Sequence, residues 1–154
     1  MFGGVKISKE TIKNNDIVFL DPANGRIAAL TELATPRNKK ELQSACGLLA
    51  SLQVWFPQVP LLIPNMRKQC AGGATFDWND ELEAEFTKVK QLMGDKIRLS
   101  PFDPDKTPHL ILDGANSVGL GYMLVQFADE EDHSKGVQII AAQFNQTCPE
   151  PAHA

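Results

Sequence analysis

The residues with the most chemical potential here are a lone carboxylate and two pairs of basic side chains. Asp113 closes the apolar run His109–Asp113 and is followed by Gly114 and Ala115. A carboxylate at a strand end can ligate a divalent cation, or it can simply accept backbone hydrogen bonds in a turn. Lys39 with Lys40, and Arg67 with Lys68, have the type needed to touch phosphates, although scattered basic residues more often make a solvated face. His109, His133 and His153 lack the mutual spacing of a metal site and read as ordinary surface or strand residues. Cys46, Cys70 and Cys148 are odd in number, widely separated and without histidines at zinc-ligand spacing, so they read as free thiols. The acidic run Asp129–Asp132 reads as a solvated hairpin loop, not a cation site. Trp55 and Phe56 end an amphipathic pattern and are expected in the core, not stacked on bases. No glycine-rich phosphate loop and no nucleophile elbow is present.

The chain that must position these groups has 154 residues, 43% of them hydrophobic and 22% charged, which suits one globular domain or two small ones. Its formal charge of −4 excludes binding to nucleic acid through an overall positive field and leaves only a local basic face. No apolar run approaches the roughly 20 residues of a membrane span, and the amino end lacks the pattern of a signal peptide. A cytoplasmic or nuclear setting, away from membranes, is the expectation.

Phe2–Ser8 and Thr11–Lys13 carry β-branched residues around Lys9-Glu10, which predicts a short hairpin turning at those two residues. Asp21-Pro22 is expected to open a short helix through Ile27, Leu30 and Leu33, closed at Thr35-Pro36. A stronger helix starts at Asn38, with Glu41 placed for a capping box and Leu42, Ala45, Leu49, Leu52 and Phe56 on one face up to Pro57. Pro60–Cys70 predicts another short helix that Pro64 must break or displace, followed by a flexible joint at Ala71–Ala74. Asn79-Asp80-Glu81 starts a helix whose stripe is Leu82, Phe86, Val89 and Met93. Beyond the proline-rich segment 100–108, His109–Asp113, Leu120–Phe127 and Val137–Phe144 predict three strands joined by turns.

Several separated segments, in this order, resemble the Pol polyprotein of Gypsy-type LTR retrotransposons, and the resemblance covers nearly the whole chain. Phe2-Gly3-Gly4-Val5-Lys6-Ile7-Ser8 resembles the strand at the polymerase primer grip. Thr35-Pro36-Arg37-Asn38 with Glu41-Leu42 and Gly47-Leu48 resembles the reverse transcriptase thumb motif. Phe76-Asp77-Trp78 and the helix through Phe86 resemble the connection, with Trp78 expected to pack that segment onto the sheet. Leu112-Asp113-Gly114-Ala115 with Gly119-Leu120-Gly121-Tyr122 resembles the first strand and turn of the attached ribonuclease H, where Gly114-Ala115 replaces the usual Ala-Ser. The Asn15–Gly25 segment also departs from the family's usual D-P-x-K-V pattern.

The resemblance implies an α+β fold: a helical thumb and connection segment followed by the first antiparallel strands of an incomplete RNase H-like fold. It divides the chain into residues 1–74, primer grip and thumb, and residues 75–154, connection and truncated RNase H-like domain. Asp113 would be the first of four carboxylates that hold two Mg²⁺ ions in the complete enzyme, and one carboxylate cannot assemble that site. The family's next catalytic acid is expected beyond Ala154, Glu150 matching a surface position, and the paired polymerase aspartates before Met1. The chain is therefore expected to be catalytically inactive alone, to need no cofactor in isolation, and to act as a scaffold. It would contact RNA–DNA hybrid weakly through Lys39, Lys40, Arg67 and Lys68, with the remaining Pol segments as partners. Two other readings stay open: a co-opted protein-interaction module, and a residual nuclease completed by a partner's carboxylates. An unfinished sheet would leave one face partly exposed, carrying Ile111, Leu124, Ile139 or their neighbours. It would be covered either by the helices Lys39–Phe56 and Asp80–Met93 folding back or by a second copy pairing at the open edge as a homodimer.

Overall fold

Two consecutive residues in the left-handed region, Lys13 (φ 46°) and Asn14 (φ 66°), turn the start of the chain back on itself. Such a pair makes the tight turn whose twist matches that of flanking strands, and it joins β1 (Val5–Ile12) to β2 (Asn15–Pro22). Lys9 and Glu10, expected at the turn, lie inside β1 instead. Across the hairpin Lys9 Nζ reaches Asp16 at 3.1 Å, and Thr11 Oγ1 donates to Asp16 at 2.7 Å, so this register gives both side chains a partner. The computed structural model describes residues 4–115 and 119–146. Phe2, Gly3, Cys148, Glu150 and His153 therefore lie outside the described residues. The chain divides into two compact units: Asp21–Arg98 with the chain up to Ile7, and Ser8–Leu20 with the chain from Leu99.

The first unit is helical. α1 spans only Arg26–Thr31, behind Gly25 in a left-handed conformation (φ 86°), whereas the sequence suggested a start at Asp21-Pro22. Those two residues instead finish β2, because the Asp21 carboxylate is claimed by Lys96 and Arg98, each at 2.9 Å. α2 (Lys39–Leu52) begins as expected, with Asn38 Oδ1 accepting the Glu41 N–H at 2.9 Å. Glu41 reaches back one residue further than a capping box, accepting the Arg37 N–H at 2.8 Å. Leu42, Ala45, Leu49 and Leu52 are buried along one face, and Trp55 and Phe56 are buried just past the helix end. Pro64 splits the next helical stretch into α3 (Val59–Leu62) and α4 (Pro64–Cys70), taking the first position of α4 where its missing N–H is not needed. α5 (Asp80–Leu92) is capped by Asn79, whose Oδ1 accepts from Glu81 and Leu82 at 3.1 Å each, and it buries Leu82, Phe86 and Val89. Met93 is buried just beyond it. Trp78 packs against α5: its ring meets Phe86 edge-on at 5.7 Å and its indole donates to Glu83 at 2.7 Å.

The second unit holds a three-stranded antiparallel sheet in the order β3 (His109–Ala115), β4 (Gly119–Phe127), β5 (Val137–Gln146). Ile17, Phe19, Leu99 and Val125 are buried here, and Leu99 bridges both Leu20 and Ile139. Segment 100–108 is held by the fully buried Gln126, which accepts the Asp103 N–H at 2.8 Å and donates to the Asp103 and Lys106 carbonyls at 2.7 and 2.9 Å. One β5 residue, Ile140, is extra where the register steps from Leu124↔Ala141 to Val125↔Ile139. Leu110 opposes Leu124 while Ile111 opposes Met123, so Ile111 and Leu124 lie on opposite faces, not together. The mixed helical and antiparallel architecture is the α+β class expected from the sequence. Among the described residues no helix is long and apolar enough to cross a membrane.

Candidate nucleic-acid interface

The four basic residues singled out in the sequence belong to one helix pair, since α2 and α4 pack against each other. Lys39 and Lys40 open α2, and Arg67 and Lys68 stand in the last turn of α4, where cations face the negative end of the helix dipole. Their availability differs. Lys39 is half-buried, and its ammonium donates to the carbonyls of Ala71 and Ala74 at 2.8 and 2.6 Å, fixing the stretch expected as a flexible joint. Lys40, Arg67 and Lys68 are exposed. Lys40 also borders an open hollow of about 460 Å³ with Leu33, Pro36, Arg37 and Ser44, and Lys90 from α5 donates to the Leu33 carbonyl beside it. Arg37, at the same end of α2, is exposed and 3.8 Å from the Glu41 carboxylate. This arrangement can present positive charge to a phosphate backbone.

Glu85, not singled out in the sequence, is what sets α4 in place. It is buried on the apolar face of α5; Oε1 accepts from the Asn65 backbone and side-chain amides at 2.9 Å each, and Oε2 accepts the Met66 N–H at 2.9 Å. A carboxylate there satisfies the orphan donors of the first turn of α4. The signal that could have found it was its position, three residues after Leu82 and next to Phe86, inside the apolar stripe.

Asp113 lies on β3 opposite Gly121 and is exposed. Among the described residues no group of three or more histidine, cysteine or acidic side chains is placed to hold a metal. The described residues around Asp113 do not by themselves assemble a Mg²⁺ centre. The acidic loop after β4 already has its cation: Lys135 Nζ lies 2.6 Å from Asp129 and 4.0 Å from Asp132. Hydrogen bonds from Lys135 and the Glu131 backbone hold the Asp129 carboxyl below its ordinary value, and the Ser134 side chain and backbone do the same for Asp132. The Asp129 hydrogen bond in turn pushes the Lys135 ammonium up. His109 and His133 are not independent either: His133 stacks on Phe127 at 3.7 Å, and His109 meets Phe127 edge-on at 5.0 Å.

Cys46 on α2 and Cys70 at the end of α4 are free thiols, as expected, and stand with their sulfurs 3.1 Å apart. Burial, then the Cys70 hydrogen bond and charge, pushes the Cys46 thiol up to about 12.

No family model and no curated protein matches the sequence. Solved structures share its fold. The foamy viral protease-reverse transcriptase in complex with RNA/DNA hybrid matches with a TM-score of 0.67 at 15% identity over 91% of this chain and 19% of that one. The same protein in complex with dsDNA matches with a TM-score of 0.69 at 16% identity over 91% of this chain and 29% of that one. This chain thus spans less than a third of those proteins, and its fold is that of part of a retroviral-type reverse transcriptase and RNase H-like region.

Proposed function

We propose that this chain is a piece of a Gypsy-type LTR retrotransposon Pol polyprotein, running from the reverse transcriptase primer grip and thumb (1–74) through the connection into a truncated RNase H-like domain (75–154). It acts as a scaffold that contacts a nucleic-acid duplex and catalyses neither DNA synthesis nor hybrid cleavage by itself. One observation carries this reading: the fold shared with reverse transcriptases solved on RNA/DNA hybrid and on dsDNA spans nine-tenths of the chain, with 91% covered. The sequence motifs supply the Gypsy-type assignment. Asp113, alone and exposed on its strand, is the ancestral first carboxylate of a Mg²⁺ site that the complete enzyme would finish with further Pol segments, in a cytoplasmic or nuclear setting.

Contact with the duplex falls to Lys40, Arg67 and Lys68, with Lys39 chiefly bracing the helix pair from beneath. Each phosphate neutralised releases counterions, so affinity for an RNA–DNA hybrid is expected to be low and to fall steeply with salt. In a fluorescence-anisotropy titration at several salt concentrations, Lys40→Glu combined with Arg67→Glu and Lys68→Glu should weaken binding and flatten the log–log salt slope by about 0.9 for each phosphate no longer neutralised. Binding that ignores both salt and this triple substitution would sink the assignment of the basic residues.

A second reading, that of a protein-interaction module, draws on β3. Leu110, Ile111 and Leu112 are 60%, 53% and 61% exposed on a strand that, among the described residues, pairs only with β4, which is the form a sheet takes when another chain is to cover or extend it.

A further inference from the structure

The side chains of α2 that meet the end of α4 lie on one helical stripe. Lys39, Gln43 and Cys46 are spaced four and three residues apart, so they project from the same face. Lys39 donates to the carbonyls of Ala71 and Ala74, and Gln43 Nε2 donates to the Cys70 carbonyl at 3.3 Å. The backbone from the Cys70 carbonyl onward is therefore held by α2. Within that clamp the Cys70 sulfur sits 3.1 Å from Cys46 Sγ and 3.8 Å from the Leu42 carbonyl oxygen. Two thiolates sharing a tetrahedral metal at about 2.3 Å would stand about 3.8 Å apart, whereas a disulfide needs about 2.0 Å, so these sulfurs are already nearer than ligands and about 1 Å from bonding.

We propose that Cys46 and Cys70 form a redox modification site, a dithiol that a low-molecular-weight disulfide such as glutathione disulfide converts to an intramolecular disulfide clipping α2 to α4. The Cys70 thiol loses its proton and attacks one sulfur of the small disulfide; a mixed disulfide forms, and the first glutathione leaves as a thiolate that takes up that proton. Cys46 then loses its proton and attacks Cys70 Sγ, the mixed disulfide breaks, and the second glutathione leaves and is protonated. Two protein thiols are oxidised, and one small disulfide is reduced to two thiols. The order follows from the site: the half-buried Cys46 thiol, partly desolvated on α2 and 3.1 Å from Cys70 Sγ, holds its proton strongly, so Cys70 makes the first attack. The product ties together the two helices that carry Lys39, Lys40, Arg67 and Lys68, and it stands whether or not those residues meet nucleic acid.

The test uses the full chain with Cys148→Ser, so that two thiols remain, equilibrated in glutathione redox buffers and then quenched by alkylation for mass spectrometry. The expected product is two hydrogens lighter, gives a cross-linked peptide joining Cys46 to Cys70, and forms at a glutathione disulfide level about tenfold or more lower in the folded chain than in urea. Amides of α4 should exchange more slowly once it has formed. With Cys46→Ser added, the reaction should stop at a glutathione adduct on Cys70. The proposal is overturned by stable glutathione adducts on both cysteines without a cross-link, or by a cross-link that forms as readily in urea. Failure of Cys70 to take the adduct in the Cys46→Ser chain would overturn the order of attack.

Discussion

Asp21 shows how one side chain can decide where an element ends. Burial pushes its carboxyl up, but hydrogen bonds and charge from Arg98 and Lys96 outweigh that and leave it below its ordinary value. A carboxyl depressed on folding contributes stability that is complete above its unfolded value of about 3.9 and is lost as pH falls through the lower folded value. Asp21→Asn should therefore cost about 1–2 kcal/mol near neutral pH, because two charged donors lose a nearly buried acceptor. In urea titrations the gap from the parent chain should hold steady from neutrality down to about pH 5 and close below about pH 4. A gap independent of pH down to acid unfolding would mean the ion pairs add nothing beyond shape. From the sequence, Asp21-Pro22 looked like a helix start because its partners stand 75 and 77 residues away, and no local pattern reports a pairing of that range. Glu85 and the two thiols were hidden for the same reason, although an acid inside an apolar stripe and a cysteine one residue after buried Ala45 did leave a trace.

At the scale of elements, legibility tracked capping chemistry. α2 and α5 start where Asn38 and Asn79 indicated, since an asparagine side chain satisfies first-turn amides whatever the rest of the chain does. The hairpin turn was hard to place because Lys13 is an unusual residue for a left-handed position, although the adjacent Asn14-Asn15 pair is a fair turn signal. That leaves a strained turn open to improvement. Asn14→Gly keeps the positive φ at lower cost and should stabilise the chain by up to about 1 kcal/mol, read as a rise in the urea midpoint with unchanged slope. Lys13 Nζ also donates to the Ser134 carbonyl at 2.6 Å, so the substitution belongs at position 14, where that hydrogen bond is kept. A drop in midpoint would show that the asparagine side chain contributes more than the backbone conformation costs. The three carboxy-terminal strands were legible in type and order from their apolar runs, yet the faces were not: the β3–β4 pairing sets Leu110, not Ile111, opposite Leu124, and the extra residue Ile140 shifts the β5 register relative to β4.

For the molecule as a whole, the sheet's exposed face remains to be accounted for. The register sets Leu110, Leu112 and Gly114 of β3 against Leu124, Tyr122 and Leu120 of β4, so the leucines at 110, 112 and 120 share a face. Leu120 is 48% exposed there, beside the still more open Leu110 and Leu112, and β3 adds an edge with no strand on its far side among the described residues. An apolar patch beside an open edge favours association with another chain. A second copy is the partner always present in a purified sample. The expected result is mass by light scattering that rises with concentration, and amides of β3 that exchange more slowly at high concentration than at low. Leu110→Lys with Leu112→Lys should abolish both effects. Because these side chains are largely in solvent, the same pair should change the unfolding free energy of the monomer by no more than about 0.5 kcal/mol per site, whereas Val125→Ala, fully buried on β4, should cost about 2 kcal/mol or more. A monomer at every concentration, with β3 amides as slow as those of β4, would show that the chain closes its own core and would leave the leucine face without a partner to explain it.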